Sequence, residues 1–362
     1  MLADSDILFL QAALALAERG MNSTSPNPRV GCLIVRDGIV LGRGWHVRAG
    51  LGHAEVNALT DAGDEDIQGA TAYISLEPCA FQGRTPPCSQ TLIDAGIGRV
   101  VAAMTDPHPK VAGRGFADLR AAGIQVDLAE LPEARELNEG YVSRISRERP
   151  FVRIKMAISV DGRTAMASGE SQWISAEASR EDVQNWRARS CAIVTGSQTV
   201  LADDPAMNVR AEPTAVDGRI RQPLRVILDS RLRVPEGARI LQPPGEALVV
   251  HTVPAPGKRK KAGLLRVPGD AGGRVSLPDL FRELAQRQCN EVLLEAGPTL
   301  AGAVLESGLW DELLLYIAPK LLGSDGRPLA SLSLARMVDA IEATIVDRAD
   351  LGGDIRLRLR PP

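Results

Sequence analysis

Short apolar runs alternate with segments of helical periodicity in the first part of the chain, and this alternation predicts a layered α/β domain. The helix candidates end directly before Gly63, Gly96 and Gly123, and glycine readily adopts the left-handed conformation that closes a helix. The predicted strands are Val30–Val35, Ile39–Trp45, Thr71–Leu76, Arg99–Thr105 and Ile124–Leu128, and the predicted helices are Ala54–Ala62, Cys88–Ala95 and Gly115–Ala122.

A second alternating series begins at Phe151 and predicts another α/β domain. Between the two series, the charged segment Ser143–Pro150 ends in proline and has few apolar residues, which indicates a domain boundary. We therefore expect domains at residues 1–147 and 148–362. The second series comprises predicted strands Phe151–Val160, Ala192–Thr195, Leu224–Asp229, Ala247–Thr252, Glu291–Glu295, Glu312–Ala318 and Asp354–Leu359, and predicted helices Ala176–Arg189, Leu277–Gln288 and Thr299–Ser307.

Composition narrows the class of protein. The 362 residues are 44% hydrophobic and 24% charged, and no apolar run reaches the length of a membrane-spanning helix. The apolar run Ile7–Ala17 follows Asp4 and Asp6 without a basic residue, unlike a secretory signal, so we expect a cytoplasmic protein. Five cysteines are an odd number and favour metal or catalytic use over a disulfide framework. Residues 1–147 carry 13 Lys and Arg against 18 Asp and Glu, so nucleic acid is not an expected partner.

The motif His53-Ala54-Glu55, followed by Pro78-Cys79 and then Cys88, predicts a catalytic zinc site. One imidazole and two thiolates form a three-ligand set that leaves the fourth zinc position to water, whose pKa the metal lowers toward about 7. Glu55 is then the candidate proton carrier, as in the H-x-E and P-C motifs of zinc deaminases. Side chains two apart on a regular helix point about 200° apart, so both can face one metal only if a helix begins here with His53 at its entry.

Eight residues separate Cys79 from Cys88, whereas nucleoside and tRNA deaminases usually have two. This loop, together with Ser25–Gly31, Gly44–His46 and Val111–Gly115, resembles the deaminase half of the bifunctional deaminase/reductase family of riboflavin biosynthesis. The resemblance implies a cytidine-deaminase-like three-layer domain whose substrate pocket is lined by Asn27, His46, Arg84 and Thr85. The family usually has histidine two residues after the first cysteine ligand, and Phe81 stands there. Either a neighbour such as Gln82 takes over the polar role, or deamination is impaired.

The second domain lacks a G-x-G-x-x-G motif between a strand and a helix, so a doubly wound dinucleotide fold is not supported. In Glu295–Thr299, however, a strand end, Gly297 and a helix N-terminus together suit a pyrophosphate. With Ser159–Thr164, Ser171–Trp173 and Thr199–Pro205, this motif resembles the reductase half of the same family, which implies a dihydrofolate-reductase-like fold and NADPH. By that resemblance NADPH is bound by Ala157, Trp173, Thr199, Asp203, Ser230, Gly297, Pro298, Thr299, Leu300, Ala301, Gly302 and Ala303, and the ribotide by Ser171, Arg187, Met207, Arg210 and Glu295.

The resemblance runs over nearly the whole chain and predicts two consecutive reactions. Zinc-dependent hydrolysis deaminates 2,5-diamino-6-ribosylamino-4(3H)-pyrimidinone 5′-phosphate, and NADPH then reduces the ribosyl group to give 5-amino-6-ribitylaminouracil 5′-phosphate. The family also implies a homo-oligomer, a dimer or tetramer. Two alternatives stay open: a reductase whose deaminase half is impaired by Phe81, and a nucleoside or tRNA deaminase fused to an unrelated domain.

Overall fold

A computed structural model describes residues 2–81, 86–210, 218–254 and 257–362 of the chain. The chain forms two compact units, residues 1–148 and 149–362. The charged segment that we predicted as a boundary begins inside a helix that continues to Arg147. Tyr141 and Val142 of this helix are buried, so a few apolar side chains suffice to dock it while its other face remains charged.

Unit 1 alternates helices and strands along the chain. They are α1 (Asp4–Glu18), β1 (Gly31–Arg36), β2 (Ile39–Trp45), α2 (Ala54–Ala62), β3 (Thr71–Ile74), α3 (Cys88–Asp94), β4 (Arg99–Ala102), α4 (Arg114–Ala121), β5 (Gln125–Leu128), α5 (Pro132–Leu137) and α6 (Glu139–Arg147). The strands form one sheet in the order β2-β1-β3-β4-β5. Strands β3, β4 and β5 are parallel, whereas β1 pairs antiparallel with both β2 and β3.

Both faces of the unit 1 sheet are buried, which makes three layers. Because side chains alternate along a strand, Leu33 and Val35 of β1 pack with α1 on one face. Cys32 and Ile34 pack with α2 and α3 on the other face. The cytidine-deaminase-like three-layer architecture implied by the resemblance is therefore confirmed.

Glycines in β2 allow α2 to lie directly on the sheet. A Cβ atom on Gly44 would lie 2.2 Å from the carbonyl oxygen of Ala54, and one on Gly42 would lie 2.1 Å from that of Ala58. These distances are too short for any side chain. The position of the first turn of α2 therefore depends on backbone-to-backbone packing against β2.

Unit 2 is built around a larger sheet. Its elements are β6 (Phe151–Ser159), β7 (Arg163–Ala165), α7 (Glu177–Arg189), β8 (Ala192–Gly196), α8 (Ser197–Asp203), β9 (Leu224–Leu228), β10 (Ala247–His251), β11 (Gly263–Arg266), α9 (Leu277–Gln286), β12 (Glu291–Glu295), α10 (Pro298–Glu306), β13 (Glu312–Ala318), β14 (Arg327–Pro328), β15 (Thr344–Leu351) and β16 (Asp354–Arg360), with short 3₁₀ helices at Arg239–Leu241 and Met337–Asp339. Nine strands pair in the order β11-β10-β9-β8-β12-β6-β13-β16-β15, and β14 pairs with β7 separately.

Seven neighbouring strands of this sheet, from β11 to β13, run parallel. Their carboxyl ends therefore meet at one edge, where ligands of open α/β sheets bind. Strands β16 and β15 continue the sheet in antiparallel pairing. Sequence patterns did not predict β15, whose residues alternate only between exposed and half-buried positions.

The two faces of β6 differ in polarity. Val152 and Ile154 lie in the main apolar core of unit 2. Arg153 points to the opposite face, where its side chain is fully buried and forms ion pairs with Glu291 and with Glu312, the latter at 2.8 Å. The helix α7 covers this face with Trp186, whose ring lies 5.1 Å from the Arg153 guanidinium carbon. Buried charge, paired on neighbouring strands, is thus part of this core.

Of the helices in the described part of the chain, none combines the length and hydropathy needed to cross a bilayer.

The buried charges predict acid-sensitive stability for unit 2. Burial raises the pKa of Glu312, but Arg153, Arg358 and Arg360 lower it to about 2 in the folded state, against about 4.3 in an unfolded chain. A depressed folded-state pKa stabilises the fold above the unfolded value, and this contribution is lost as the pH falls toward 2. We therefore expect the urea midpoint to fall from about pH 4.5 downward.

Tryptophan fluorescence can follow this transition because three of the four tryptophans, Trp173, Trp186 and Trp310, lie in unit 2. The midpoint should depend less on pH in Glu312→Gln than in the wild type. The exposed substitution Glu246→Gln is the control and should keep the wild-type slope. Equal slopes in the wild type and Glu312→Gln would contradict the prediction.

Candidate functional site

His53 stands immediately before the first residue of α2. Its backbone is extended, with φ of −74° and ψ of 170°, and Glu55 lies in the first helical turn. The sequence analysis required this irregular entry for both side chains to face one ion, and the structure has it. Gly52 precedes His53, and Gly44 of β2 packs against the first turn of α2.

His53, Cys79 and Cys88 come together at one point of unit 1. The Nδ1 atom of His53 lies 3.2 Å from Sγ of Cys88 and 3.7 Å from Sγ of Cys79. The three ligand atoms all lie within 4.8 Å of one another. A tetrahedral zinc ion with its usual bond lengths separates nitrogen from sulfur by roughly 3.6 Å. The donor set and its spacing therefore fit zinc with one coordination position left over.

The cysteine ligands are held by backbone as well as by side chains. Cys79 follows β3, and Cys88 is the first residue of α3. The Cys88 amide donates to Sγ of Cys79 at 3.3 Å. The Cys88 thiol and His53 lower the pKa of Cys79, which favours its thiolate, the metal-binding form.

Glu55 is buried beside these three residues. Its side chain is 3% exposed. Burial and the nearby Cys79 sulfur raise the pKa of Glu55 above its usual range. A carboxyl group with a raised pKa is suited to accept a proton and return it in one reaction cycle.

Asn27 and His46 lie next to the cluster. The His46 ring makes an edge contact with the His53 ring, with centroids 5.2 Å apart. Its Nδ1–H donates to the Gly52 carbonyl oxygen at 3.1 Å, so Nε2 is the acceptor for the Asn27 amide at 3.0 Å. Burial lowers the pKa of His46 to about 4. His46 is therefore neutral at physiological pH and orients Asn27 rather than supplying a positive charge.

Phe81, at the position where the family usually has histidine, stacks on His108. The ring centroids are 5.8 Å apart with an interplanar angle of 25°, and the phenyl ring is 40% exposed. Arg84, Thr85 and Gln82, which the sequence analysis singled out in the same loop, lie outside the described residues.

Three buried polar residues near the cysteines were missed by sequence reasoning: Glu77, Asp106 and Tyr141. Burial raises the pKa of Asp106 to about 6, and the Tyr141 hydroxyl donates to this carboxyl group at 3.0 Å. The only sequence signal was a glutamate directly before Pro78-Cys79, because the partners of Glu77 are 29 to 39 residues away.

Unit 2 has a separate polar site at the carboxyl edge of its parallel strands. Thr195 near the end of β8 and Asp229 after β9 each bury a side-chain oxygen, Oγ1 and Oδ1 respectively, that has no partner among the described atoms. Gly297 precedes α10, and no atom lies within 4 Å of a Cβ built on it. Unpartnered oxygens, an open glycine and a helix N-terminus fit a polar, phosphate-bearing cofactor such as NADPH.

The residues predicted to bind NADPH are distributed around this edge. Ala157 is on β6, Thr199 and Asp203 are on α8, and Ser230 follows β9. Trp173 is 63% exposed, and its carbonyl oxygen accepts from Lys320 Nζ at 2.6 Å. In the run Gly297–Ala303, Ala301 and Gly302 are buried, and a Cβ on Gly302 would lie 2.2 Å from the Ser331 oxygen. Those two residues pack the helix, whereas the residues of the turn at 297–300 are half-buried or exposed.

Two of the five residues predicted to bind the ribotide are in direct contact. Arg187 donates to both oxygens of Glu295, at 2.6 and 2.8 Å. Lys155 interacts electrostatically with these same two side chains, and burial lowers the pKa of Lys155. Met207 is buried in an apolar cluster of unit 2, Arg210 is exposed, and Ser171 is half-buried in the segment before α7.

The two sites define a class of protein, a zinc deaminase joined to a reductase, and comparison with known proteins agrees. Residues 3–104 match the cytidine and deoxycytidylate deaminase zinc-binding region, and residues 150–347 match the RibD C-terminal domain. The riboflavin biosynthesis protein RibD of Escherichia coli is 47% identical, over 98% of this chain and 99% of that protein.

Solved structures of similar proteins match over the full length. Acinetobacter baumannii RibD has a TM-score of 0.92 at 45% identity, and each chain is covered to 99%. A Thermotoga maritima protein described as a diaminohydroxyphosphoribosylaminopyrimidine deaminase/5-amino-6-(5-phosphoribosylamino)uracil reductase has a TM-score of 0.87 at 29% identity, with 99% coverage of both chains.

The chain belongs to the RibD family of riboflavin biosynthesis proteins. It is a bifunctional enzyme, a hydrolytic deaminase and an NADPH-dependent reductase, with zinc and NADPH as cofactors. A nucleoside or tRNA deaminase fused to an unrelated domain is not supported, because both halves match the same family over nearly all of the chain. Loss of deaminase activity through Phe81 is likewise not favoured.

The position of Glu55 predicts a separation of metal binding from deamination. Glu55→Gln should keep zinc, because the three ligands are unchanged, but it should lower ammonia release by about 10²- to 10⁴-fold through loss of proton transfer. Zinc content and NADPH oxidation by unit 2 are the controls, and both should equal those of the wild type. Ammonia release within a factor of two of the wild type would exclude this role for Glu55.

Proposed function

We propose that unit 1 deaminates 2,5-diamino-6-ribosylamino-4(3H)-pyrimidinone 5′-phosphate and that unit 2 reduces the ribosyl group of the product to ribityl. The observation that carries the first reaction is the convergence of His53, Cys79 and Cys88 beside the buried Glu55. The second reaction is supported by the unpartnered oxygens and the helix N-terminus at the carboxyl edge of the unit 2 sheet. The description of the Thermotoga maritima protein names both activities.

In the deaminase site, His53, Cys79 and Cys88 hold zinc. When bound, zinc lowers the pKa of a water molecule toward about 7 and so makes it nucleophilic at neutral pH. Glu55 accepts the proton that this water loses when its oxygen bonds to C2 of the pyrimidinone. Glu55 passes this proton to the ring nitrogen that receives the electrons of the C2=N double bond. It then carries the proton of the new C2 hydroxyl to the amino nitrogen, the bond between C2 and that nitrogen breaks, and ammonia leaves as C2=O forms.

The family resemblance assigns substrate binding in unit 1 to Asn27, His46, Arg84 and Thr85, of which the structure describes Asn27 and His46. Asn27 contacts the pyrimidine through its amide group, whose orientation is fixed by the hydrogen bond to His46. Arg84 and Thr85 bind the ribose phosphate through charge-assisted hydrogen bonds.

In the reductase site, the residues at the carboxyl edge would hold the dinucleotide, and the free amides at the start of α10 would bind its pyrophosphate. NADPH supplies the hydride, and the chain's residues position C1′ of the opened ribosyl group against it. Arg187 and Glu295 hold each other in place and, with Ser171, Met207 and Arg210, bind the ribotide. Lys155 on β6 interacts electrostatically with both members of this pair.

One assay tests both reactions. The zinc-loaded protein is given the diaminopyrimidinone ribotide without NADPH, and ammonia is measured; NADPH is then added and its absorbance followed. We expect ammonia first and NADPH oxidation second, because the deaminated ribotide is the substrate of unit 2. Zinc-stripped protein is the control and should release no ammonia yet oxidise NADPH with the pre-formed aminouracil ribotide. If loaded wild-type protein releases no ammonia, the deaminase assignment fails.

We also propose that the protein is a cytoplasmic homo-oligomer, a dimer or tetramer. All five cysteines are free thiols in the structure, as expected in a reducing compartment. Exposed apolar side chains follow one another before and along the edge strand β15, with Met337 90%, Val338 80% and Ile345 58% exposed. Several exposed apolar side chains beside an unpaired strand edge are typical of a subunit interface.

Two charges placed among these side chains should weaken the oligomer. We expect light scattering to give an oligomer for the wild type at micromolar concentration and a monomer for Met337→Asp/Val338→Asp, because two buried carboxylates would be unpaired in the interface. Leu8→Asp is the control: it changes an isolated side chain, 66% exposed on α1, and should leave the mass unchanged. A monomeric wild-type protein would contradict the proposal.

A further inference from the structure

We propose that Glu77 is the residue that positions Cys79 for metal binding, although it is not itself a ligand; this inference rests on the proposed zinc site. Glu77 follows β3 and comes two residues before Cys79. Its side chain is 3% exposed. A buried carboxylate needs several hydrogen bonds to be tolerated. The hydrogen-bond partners of Glu77 show which part of the chain this carboxylate holds in place.

All the donors to the Glu77 side chain are backbone amides of one segment, residues 106–116. Oε2 accepts from Asp106 at 3.2 Å and from Gly113 at 3.0 Å. Oε1 accepts from Gly115 at 3.0 Å and from Phe116 at 3.4 Å. The last two amides belong to the first turn of α4, where the helix has no partners of its own for them. One carboxylate therefore ties the end of β4 and the beginning of α4 to the residue before Pro78.

The same segment also touches Pro78 directly. A Cβ atom on Gly115 would lie 2.1 Å from the Pro78 carbonyl oxygen, so only glycine allows this approach. The amide of Glu77 donates to the Met104 carbonyl oxygen at 2.9 Å. Three kinds of contact therefore fix Glu77 and Pro78: the backbone hydrogen bond of Glu77, the hydrogen bonds of its carboxylate, and the packing of Gly115 against Pro78.

These contacts fix the position of the Cys79 backbone on the side of β3. On its other side Cys79 is held by α3, because its carbonyl oxygen and its Sγ accept the amides of Ser89 and Cys88. The sulfur must then meet His53 and Cys88 at zinc-bonding distance, about 2.3 Å from the ion. Without the Glu77 carboxylate, the strand-side anchor of Cys79 is lost while the ligand set is unchanged. Residues that orient metal ligands typically change metal affinity by about 10- to 100-fold when they are mutated.

Two substitutions disturb this anchor by different means. Glu77→Gln keeps the side-chain size, but its Nε2 cannot accept, so two of the four amides lose their partner. Gly115→Ala leaves the carboxylate intact and pushes Pro78 away from α4. We expect both variants to release zinc to a chromophoric chelator at about 10- to 100-fold lower chelator concentration than the wild type.

Asp6→Asn is the matched control in unit 1. Asp6 is also a buried carboxylate that accepts a backbone amide, from Ala3 at 2.9 Å, and it bonds Tyr73 and Arg99. Arg99 begins β4, at the end of the sheet opposite to the segment that follows β3. Asp6→Asn should therefore destabilise unit 1 and leave zinc release unchanged. NADPH oxidation confirms in each case that unit 2 is active, and cooperative urea unfolding of unit 1, followed by the fluorescence of Trp45, confirms that unit 1 is folded.

The outcomes separate positioning from general stability. Weaker zinc binding in Glu77→Gln and Gly115→Ala, with wild-type binding in Asp6→Asn, supports the proposal, and excess zinc should then restore ammonia release. Wild-type zinc binding in Glu77→Gln, or an equal loss in Asp6→Asn, overturns it. If Glu77→Gln does not fold, Gly115→Ala decides alone. A wild-type protein that binds no zinc would instead disprove the zinc site itself.

Discussion

The sites of both units depend on parallel strands that end at the same edge of a sheet. In unit 1, Cys79 and Asp106 follow the neighbouring parallel strands β3 and β4. In unit 2, Thr195, Asp229 and Glu295 lie at or just past the ends of β8, β9 and β12. At this edge the backbone carbonyl and amide groups no longer pair within the sheet, and helices begin there. Polar chemistry therefore collects at an edge while the strand interiors remain apolar.

Sequence reasoning predicted the metal-ligand set because those residues carry their chemistry in short motifs. The bounds of α2 and β2 match the structure residue by residue, since Gly52 and Gly63 flank the helix and the glycines of β2 face it. Zinc ligands also have few structural substitutes, so one histidine and two cysteines in order have a narrow meaning. The reductase residues carried no such local meaning and rested on the family resemblance.

The residues that sequence reasoning missed act through partners far away in the chain. Glu77 bonds amides 29 to 39 residues later, and the Tyr141 hydroxyl donates to Asp106, 35 residues earlier. No local periodicity records such contacts. The last part of α6 was read as a domain boundary because its residues are mostly charged, and β15 escaped detection because neither of its faces is fully buried. Arg153 shows the same limit. A charged residue within a strand pattern does not indicate that two buried carboxylates on neighbouring strands form ion pairs with it.

The orientation of His46 has a consequence for molecular recognition. The Gly52 carbonyl can only accept a hydrogen bond, so it fixes the proton on Nδ1 and makes Nε2 an acceptor. That choice fixes the amide of Asn27, whose nitrogen donates to His46. The Gly52 carbonyl oxygen thus sets the orientation of the Asn27 amide through two successive hydrogen bonds. Asn27 is therefore held in one of its two amide orientations before any ligand arrives, and a bound molecule meets a donor and acceptor pattern that is already fixed.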